Sequence, residues 1–302
     1  MPLLMQFSKR SEARIQLRWT PIIGTLMLLL ALTGCGTTRL AYNNAPSLSF
    51  WWLDTYFDFD SEQALRMRAD LQTAHVWHRK DELPLVAAEL ANLKARALQN
   101  ATPEQTCKLA ADVQARVSAP LERLVPTIAA IAPSLSDAQL LHLEREFEKR
   151  NRSWREDYLD GTPQERIDHR LKQAAERTES FYGRLRPEQI SWLRGQIVAS
   201  DYDANVQYRE ILRRQQDALL TLRQVRASKS TPVQAQAALM ALLERSFASP
   251  DASYRQYMAR ILQQGCSVMT ELHNGMSPPQ RAKLLDTLQS YDDDLRALMV
   301  AR

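Results

Sequence analysis

Apolar positions recur at three- and four-residue spacing along most of the chain, and period-two alternation is essentially absent, so the pattern predicts helices and no sheet. Leu83, Val86, Ala87, Leu90, Leu93 and Ala97 form one stripe, Ile211, Leu212, Leu219, Leu222 and Val225 a second, and Leu284, Leu285, Leu288, Tyr291, Leu295 and Leu298 a third. The stripes are punctuated by a recurring tetrad: a Ser, Thr or Asp, often followed by Pro, with Gln or Glu three residues on. It stands at Asp60–Gln63, Thr102–Gln105, Ser136–Gln139, Thr162–Glu165, Thr231–Gln234 and Ser277–Gln280, and Arg186–Gln189 lacks only the capping oxygen. This is the capping box: the first side chain accepts an orphan backbone N–H, the Gln or Glu reaches back to the cap, and Pro occupies a position that needs no donor. Together they predict an all-α protein, a multi-helix bundle or stacked helical hairpins of about nine or ten helices. The expected spans are 46–59, 61–99, 103–132, 137–159, 163–184, 187–199, 202–228, 232–247, 252–274 and 278–300. Pro84 is expected to kink the second, and Pro120 and Pro126 to kink or split the third. The helix starts have no fixed period, so a solenoid is not implied. Residues 46–302 form one helical domain or two packed halves, with 227–232 as the seam.

The first thirty-four residues break this pattern. Lys9, Arg10, Arg14 and Arg18 precede an apolar run from Pro21 through Leu32. At about 12 residues that run falls short of the roughly 20 needed to span a bilayer, so residues 1–34 read as an export signal. The tetrad Leu32-Thr33-Gly34-Cys35 resembles the lipobox of bacterial lipoproteins. The resemblance implies a chain cut before Cys35, with Cys35 lipidated (diacylglycerol on sulfur, palmitate on the amine) and residues 35–45 as the tether. Acyl chains contribute about 0.8 kcal/mol per buried methylene, enough for a stable anchor when several are present. Gly36 stands where inner-membrane lipoproteins tend to carry Asp, which points to an outer-membrane anchor facing the periplasm.

The leader also changes the charge argument. The whole chain is formally +4 with a sequence pI near 9.0, but the leader holds four of the basic residues and only Glu12 among the acids. Without that excess of three the remainder is near +1, so no nucleic-acid partner is indicated. Of the three cysteines, lipidation of Cys35 leaves Cys107 and Cys266. They are either bridged, in an oxidising compartment, or buried separately as thiols on apolar faces.

Candidate chemistry is sparse. Tyr42, Phe50, Trp51, Trp52, Tyr56, Phe57 and Phe59 crowd one short stretch in a chain with 22 Phe, Trp and Tyr. Either they pack in the core, or Trp51, Trp52, Tyr56 and Phe57 also provide a membrane or partner contact, as amphipathic rings do at headgroup level. His75, His78, Asp81 and Glu82 have helical spacing, but on a charged helix this reads as a solvated face, and no metal site is assigned. Glu144 through Arg152 mixes signs as an exposed helix does. Asp292-Asp293-Asp294 lacks the glycine and spaced ligands of a calcium loop and is expected on a polar face. No nucleophile elbow, phosphate loop or His-Glu-x-x-His is present, so no catalytic residue and no cofactor is assigned.

The runs Leu40-Ala41-Tyr42-Asn43-Asn44, Trp51-Trp52-Leu53-Asp54 and Trp77 through Pro84, with Arg150-Asn151 and Tyr158-Leu159, resemble an uncharacterised proteobacterial lipoprotein family known as domain of unknown function 6279. The resemblance implies a helical lipoprotein without an assigned activity. More weakly, Leu135-Ser136-Asp137-Ala138-Gln139 is similar to the Leu-Thr-x-x-Gln boxes of Spy/CpxP-type periplasmic helical proteins. The expected function is a membrane-anchored envelope lipoprotein with a structural or protein-interaction role and an envelope protein as partner. A periplasmic chaperone or stress-sensing binder is the alternative, and an envelope enzyme the less favoured one.

Overall fold

The computed structural model describes residues 34–300, and every regular element among them is helical. The export signal expected over 1–34 therefore lies, but for Gly34, outside the described residues. The chain divides into two compact units, Met1–Asn44 and Ala45–Arg302. In the first, the stretch expected as a tether is helical: α1 covers Gly34–Asn43, and the Asn44 backbone and side-chain N–H groups both donate to the Leu40 carbonyl. Cys35 falls in the first turn of α1, and its lipidation concerns a side chain outside the described set.

The second unit holds eleven helices among its described residues: α2 (Ala45–Phe57), α3 (Ser61–Trp77), α4 (Leu83–Arg96), α5 (Pro103–Ile131), α6 (Asp137–Tyr158), α7 (Pro163–Tyr182), α8 (Pro187–Ala199), α9 (Ala204–Ala227), α10 (Pro232–Phe247), α11 (Ala252–Asn274) and α12 (Pro278–Val300). The all-α expectation holds, and the count exceeds nine or ten because the 61–99 span is two helices. They are joined by a π turn over His78–Glu82, directly ahead of Leu83-Pro84. Pro84 has no N–H, and its ring crowds the preceding turn; the wider turn absorbs that misfit without breaking the helical path. Of the two outcomes expected at Pro120 and Pro126, splitting does not occur: α5 runs for 29 residues. Each proline removes one backbone bond, and packing against α3, α10 and α11 holds the helix together around them.

The predicted caps are in place at Asp60, Thr102, Ser136, Thr162 and Thr231, each with its reciprocal Gln or Glu. At Ser277 the backbone N–H donates to Gln280 Oε1 and the hydroxyl accepts from the Gln280 N–H. Arg186 makes only the return half, its N–H donating to Gln189 Oε1. Four of these glutamines do more than cap. Gln63 and Gln139 exchange side-chain hydrogen bonds where α3 and α6 begin, and their remaining donors go to the Ser134 and Asp58 carbonyls. Gln189 and Gln280 repeat the arrangement where α8 and α12 begin, reaching the Gly275 and Arg184 carbonyls. All four side chains are buried, so each amide replaces water with a nearly complete set of partners. The Leu-x-x-x-Gln pattern at Leu135–Gln139 thus has a local structural cause.

Each clasp belongs to its own lobe. The proximal lobe is built on one large core, with Phe50 of α2, Met67 and Leu71 of α3, Val125, Ala129 and Ile131 of α5, Leu140 and Leu143 of α6, Leu219, Leu222 and Val225 of α9, and Ala235 and Leu239 of α10. The distal lobe has two smaller cores: Leu171, Leu185, Leu193, Ile197, Leu272 and Met276 in one, and Ala97, Leu284 and Leu288 in the other. Helix α5 joins the lobes, its C-terminal half in the proximal core and its first turns against α11. The 227–232 stretch is a short turn between α9 and α10, which pack on each other inside the proximal lobe.

Candidate functional site

Two surfaces carry apolar area that the fold leaves partly open to solvent. The first is on α2, whose sequence is apolar on all sides, a composition that in a surface helix leaves one face without a core to enter. Phe50 is buried, and Leu53, Tyr56 and Phe57 pack partly into the proximal core. Phe57 stacks on Phe59 at 5.4 Å, and the Arg68 guanidinium lies 3.5 Å from the Phe50 ring centre. This fixes the rotation of the helix and turns Leu48, Trp51 and Trp52 outward at 53%, 70% and 54% exposure. Of the four candidate contact residues, Trp51 and Trp52 are therefore surface groups. Phe57 falls on the Phe50 side of the helix and serves as packing, while Tyr56, on the Trp52 side, is half-buried between Trp52 at 4.9 Å and Phe147 of α6 at 6.2 Å.

The second surface is a groove of about 820 Å³ between α7 and α11, walled at one end by the α8–α9 connection through Tyr202. Its sides are mainly apolar, with Ala174, Phe181, Ile197, Ile261, Val268 and Leu272 among them. Arg170 sits half-buried in this wall. Its guanidinium lies 4.5 Å from the Tyr202 ring centre and donates to the Ile197 carbonyl at 3.4 Å. No carboxylate among the described residues lies within ion-pair distance of it. Burial holds the Arg170 pKa below its ordinary value and pushes the Tyr202 phenol up to about 12. At the far end, Tyr182 and His273 Nδ1 are 2.9 Å apart and His273 Nε2 is 2.7 Å from the Gln99 carbonyl. A carbonyl can only accept, so Nε2 carries the proton and the Tyr182 hydroxyl donates to Nδ1. Burial raises the Tyr182 pKa to about 12, which keeps it a donor.

Residues 55–255 match the family of unknown function DUF6279. The chain belongs to that family. No curated protein and no solved structure matches it. The matched stretch takes in the proximal lobe from the end of α2 through α10, and in the distal lobe α4, α7, α8 and the first residues of α11.

In this DUF6279 member Cys107 and Cys266 are joined by a disulfide, with Cα atoms 5.3 Å apart. Beside it the Thr106 and Thr270 hydroxyls meet at 2.6 Å, so α5 and α11 are fastened twice in neighbouring turns. The His-rich face resolves into separate contacts. Glu82 is buried and accepts from Arg116 of α5 at 3.1 Å, while burial lowers the His78 pKa. Among the described residues no three of His, Cys, Asp and Glu converge as ligands for a metal would. The 292–294 run corrects the expectation of a polar face: Asp292 and Asp294 are buried. Asp292 pairs with Lys94 of α4 at 2.8 Å and with Arg296 at 3.2 Å, which fastens α12 to α4. A second charged knot, missed in the sequence, ties α9 to α10. Glu210 accepts from Arg213, Arg214 and Ser249, and Asp217 from Arg213 and Arg245. Its signal was present only as acids and arginines at i, i+3 and i+4 on α9, a spacing shared by many solvated helices. No helix among the described residues is long and apolar enough to cross a membrane.

Proposed function

We propose that this DUF6279 protein is a lipid-anchored scaffold of the bacterial envelope, held by Cys35 on the outer membrane and facing the periplasm. Its role there is structural or protein-binding, without catalysis. The observation that supports this most is the outward face of α2. Two tryptophans and a leucine are held in solvent by the burial of Phe50 behind them, seventeen residues or fewer along the chain from Cys35. Indole rings favour the headgroup level, where the apolar body and the N–H are both accommodated. The α2 face accordingly rests on the membrane to which the lipid commits the chain, and the helical body is presented to an envelope protein.

The test is fractionation of cells carrying the wild-type protein, Cys35→Ser, and Trp51→Ser/Trp52→Ser, combined with crosslinking in intact envelopes. Wild type should sediment with outer membrane, Cys35→Ser should be released, and the double tryptophan variant should be extracted at lower salt or detergent. Recovery of wild type and Cys35→Ser in the same soluble fraction would refute the anchor. Envelope crosslinking that recovers no reproducible partner would refute the scaffold role.

A further inference from the structure

The groove between α7 and α11 has the form of a missing place in a helical bundle. Helix α7 packs chiefly on α8 and α12, and α11 chiefly on α5; Leu171 and Leu272 share a core beneath, and above it the sides of α7 and α11 are left partly open. The two walls run in the same direction. Their C-terminal ends meet through Tyr182 and His273, and toward their N-terminal ends Arg170 stacks on Tyr202 while Gln264 bonds Asp201 of the same connection. The lining extends from Arg170 to Tyr182 on one wall and from Arg260 to Leu272 on the other, about 18 Å each at 1.5 Å per residue, which is the length of a three-turn helix.

Charge is unevenly distributed along it. Arg170 and Arg260 lie at the Tyr202 end, and Arg177 further along α7. Asp201 at that end accepts from Gln264, and Glu271 lies at the opposite end, so three arginines stand against two carboxylates along the groove and two against one at the Tyr202 end. Arg170 is the informative group. A guanidinium half withdrawn from water, with a ring face and a backbone carbonyl for partners, gains substantially from a carboxylate delivered into the groove. The leader of this chain does not meet that need, since Lys9, Arg10, Arg14 and Arg18 face only Glu12.

We propose that this groove is a docking site for one amphipathic helix of a partner protein, apolar on its inserted face and carrying acidic side chains in its last turn. Its apolar residues at i, i+3, i+4 and i+7 lie along Ile261, Val268 and Met269, and its acidic end reaches Arg170 and Arg260. The negative end of the helix dipole falls at the same cations. This site is independent of whether α2 rests on a membrane, and its test reads a different quantity.

The experiment uses the full chain in zwitterionic nanodiscs, with empty discs as reference, and two fluorescein-labelled twelve-residue peptides with the same Leu/Ala stripe, ending in two Glu or in two Lys. The Glu peptide should bind saturably and the Lys peptide at least tenfold more weakly. Arg170→Glu should invert that preference, and Arg170→Lys should restore most of it. Gly265→Trp should abolish binding of both, since Gly265 lines the groove and a Cβ added there meets nothing within 4 Å. Unchanged thermal unfolding of each variant checks the fold, and the Arg170 swap decides alone if Gly265→Trp proves unstable. The proposal is overturned by absence of saturable Glu-peptide binding, by equal binding of the two peptides, or by an unchanged preference in Arg170→Glu. Displacement of neither peptide but saturable uptake of palmitate would assign the groove to an acyl chain instead.

Discussion

In the proximal lobe Gln63 and Gln139 clasp α3 to α6, and in the distal lobe Gln189 and Gln280 clasp α8 to α12 with the same exchange of amide bonds. What surrounds the two clasps differs. The proximal one borders a single core drawn from α2, α3, α5, α6, α9 and α10. The distal one sits beside two small cores and an open groove. The distal lobe compensates with specific ties: the Cys107–Cys266 bridge, the Asp292–Lys94 pair, the Tyr182–His273–Gln99 chain, and Asn274, which donates to the Ala101 carbonyl and accepts from the Ala101 N–H. Apolar burial is indifferent to direction, whereas each of these ties fixes one geometry. The proximal lobe has such ties too, in the Glu210 and Asp217 knot, but there they add to one large core; in the distal lobe they stand beside two small ones.

The sharpest way to break this contrast is to reduce the disulfide. A bridge across 159 residues stabilises by about 5 kcal/mol in the chain-entropy treatment, and actual losses of roughly 2–5 kcal/mol are usual. Hydrogen exchange after Cys107→Ser/Cys266→Ser should show α7, α8, α11 and α12 opening first, with α2, α3, α9 and α10 still protected. Uniform opening would mean the lobes are one cooperative unit. Next come the clasps. Gln139→Leu or Gln280→Leu removes the exchanged amide bonds of its clasp and the donor to the Asp58 or Arg184 carbonyl, at about 1–3 kcal/mol each. Denaturant melts of the single and paired substitutions should give coupling of about 1 kcal/mol within each clasp and none between Gln139 and Gln280.

Acid provides a gentler test. Arg245 and Arg213 beside Asp217, and Lys94 and Arg296 beside Asp292, hold those carboxyls below the usual range. At Glu210 burial acts upward and is outweighed by hydrogen bonds from Arg213, Arg214 and Ser249. Groups with depressed folded-state values stabilise fully above the ordinary carboxylate range of about 4 and lose that contribution as pH falls through the lower folded value. Thermal melts should therefore show no loss from these groups between pH 5 and 8 and a decline below about pH 4; Asp292→Asn should flatten that decline. Smallest is Trp51→Ser/Trp52→Ser, exposed substitutions expected to shift stability by about 0.5 kcal/mol or less in a chemical melt. A larger loss would place these rings in the core instead of at a surface.

Much of the fold was legible because its starts are chemical: Thr102, Ser136, Thr162, Thr231 and Ser277 each announce a helix whose first residue was read within one position. The caps at Asp203 and Asp251 have no Gln or Glu to reciprocate, and only the α9 start was misplaced, by two residues. The π turn before Pro84 and the unbroken α5 were not readable, because whether a proline breaks a helix depends on what packs around it. The burial of Asp292 was hidden for a similar reason: its partner Lys94 lies 198 residues away. At the candidate sites, the aromatic density around Trp51 was visible, but which rings faced outward required the position of Phe50. The groove left no local mark, since Arg170 and Arg260 are ordinary helix-surface arginines until α7 and α11 are set side by side.

The long separation of Cys107 from Cys266 also imposes an order of assembly. The chain visits the lobes alternately, and the proximal one receives its last helix at Phe247, nineteen residues before the second cysteine of the bridge. A chain delivered N-terminus first can bury its large core while Cys107 still waits for a partner. The bridge then records that nearly the whole sequence has arrived, and a chain truncated before α11 keeps a free thiol as the sign of its incompleteness.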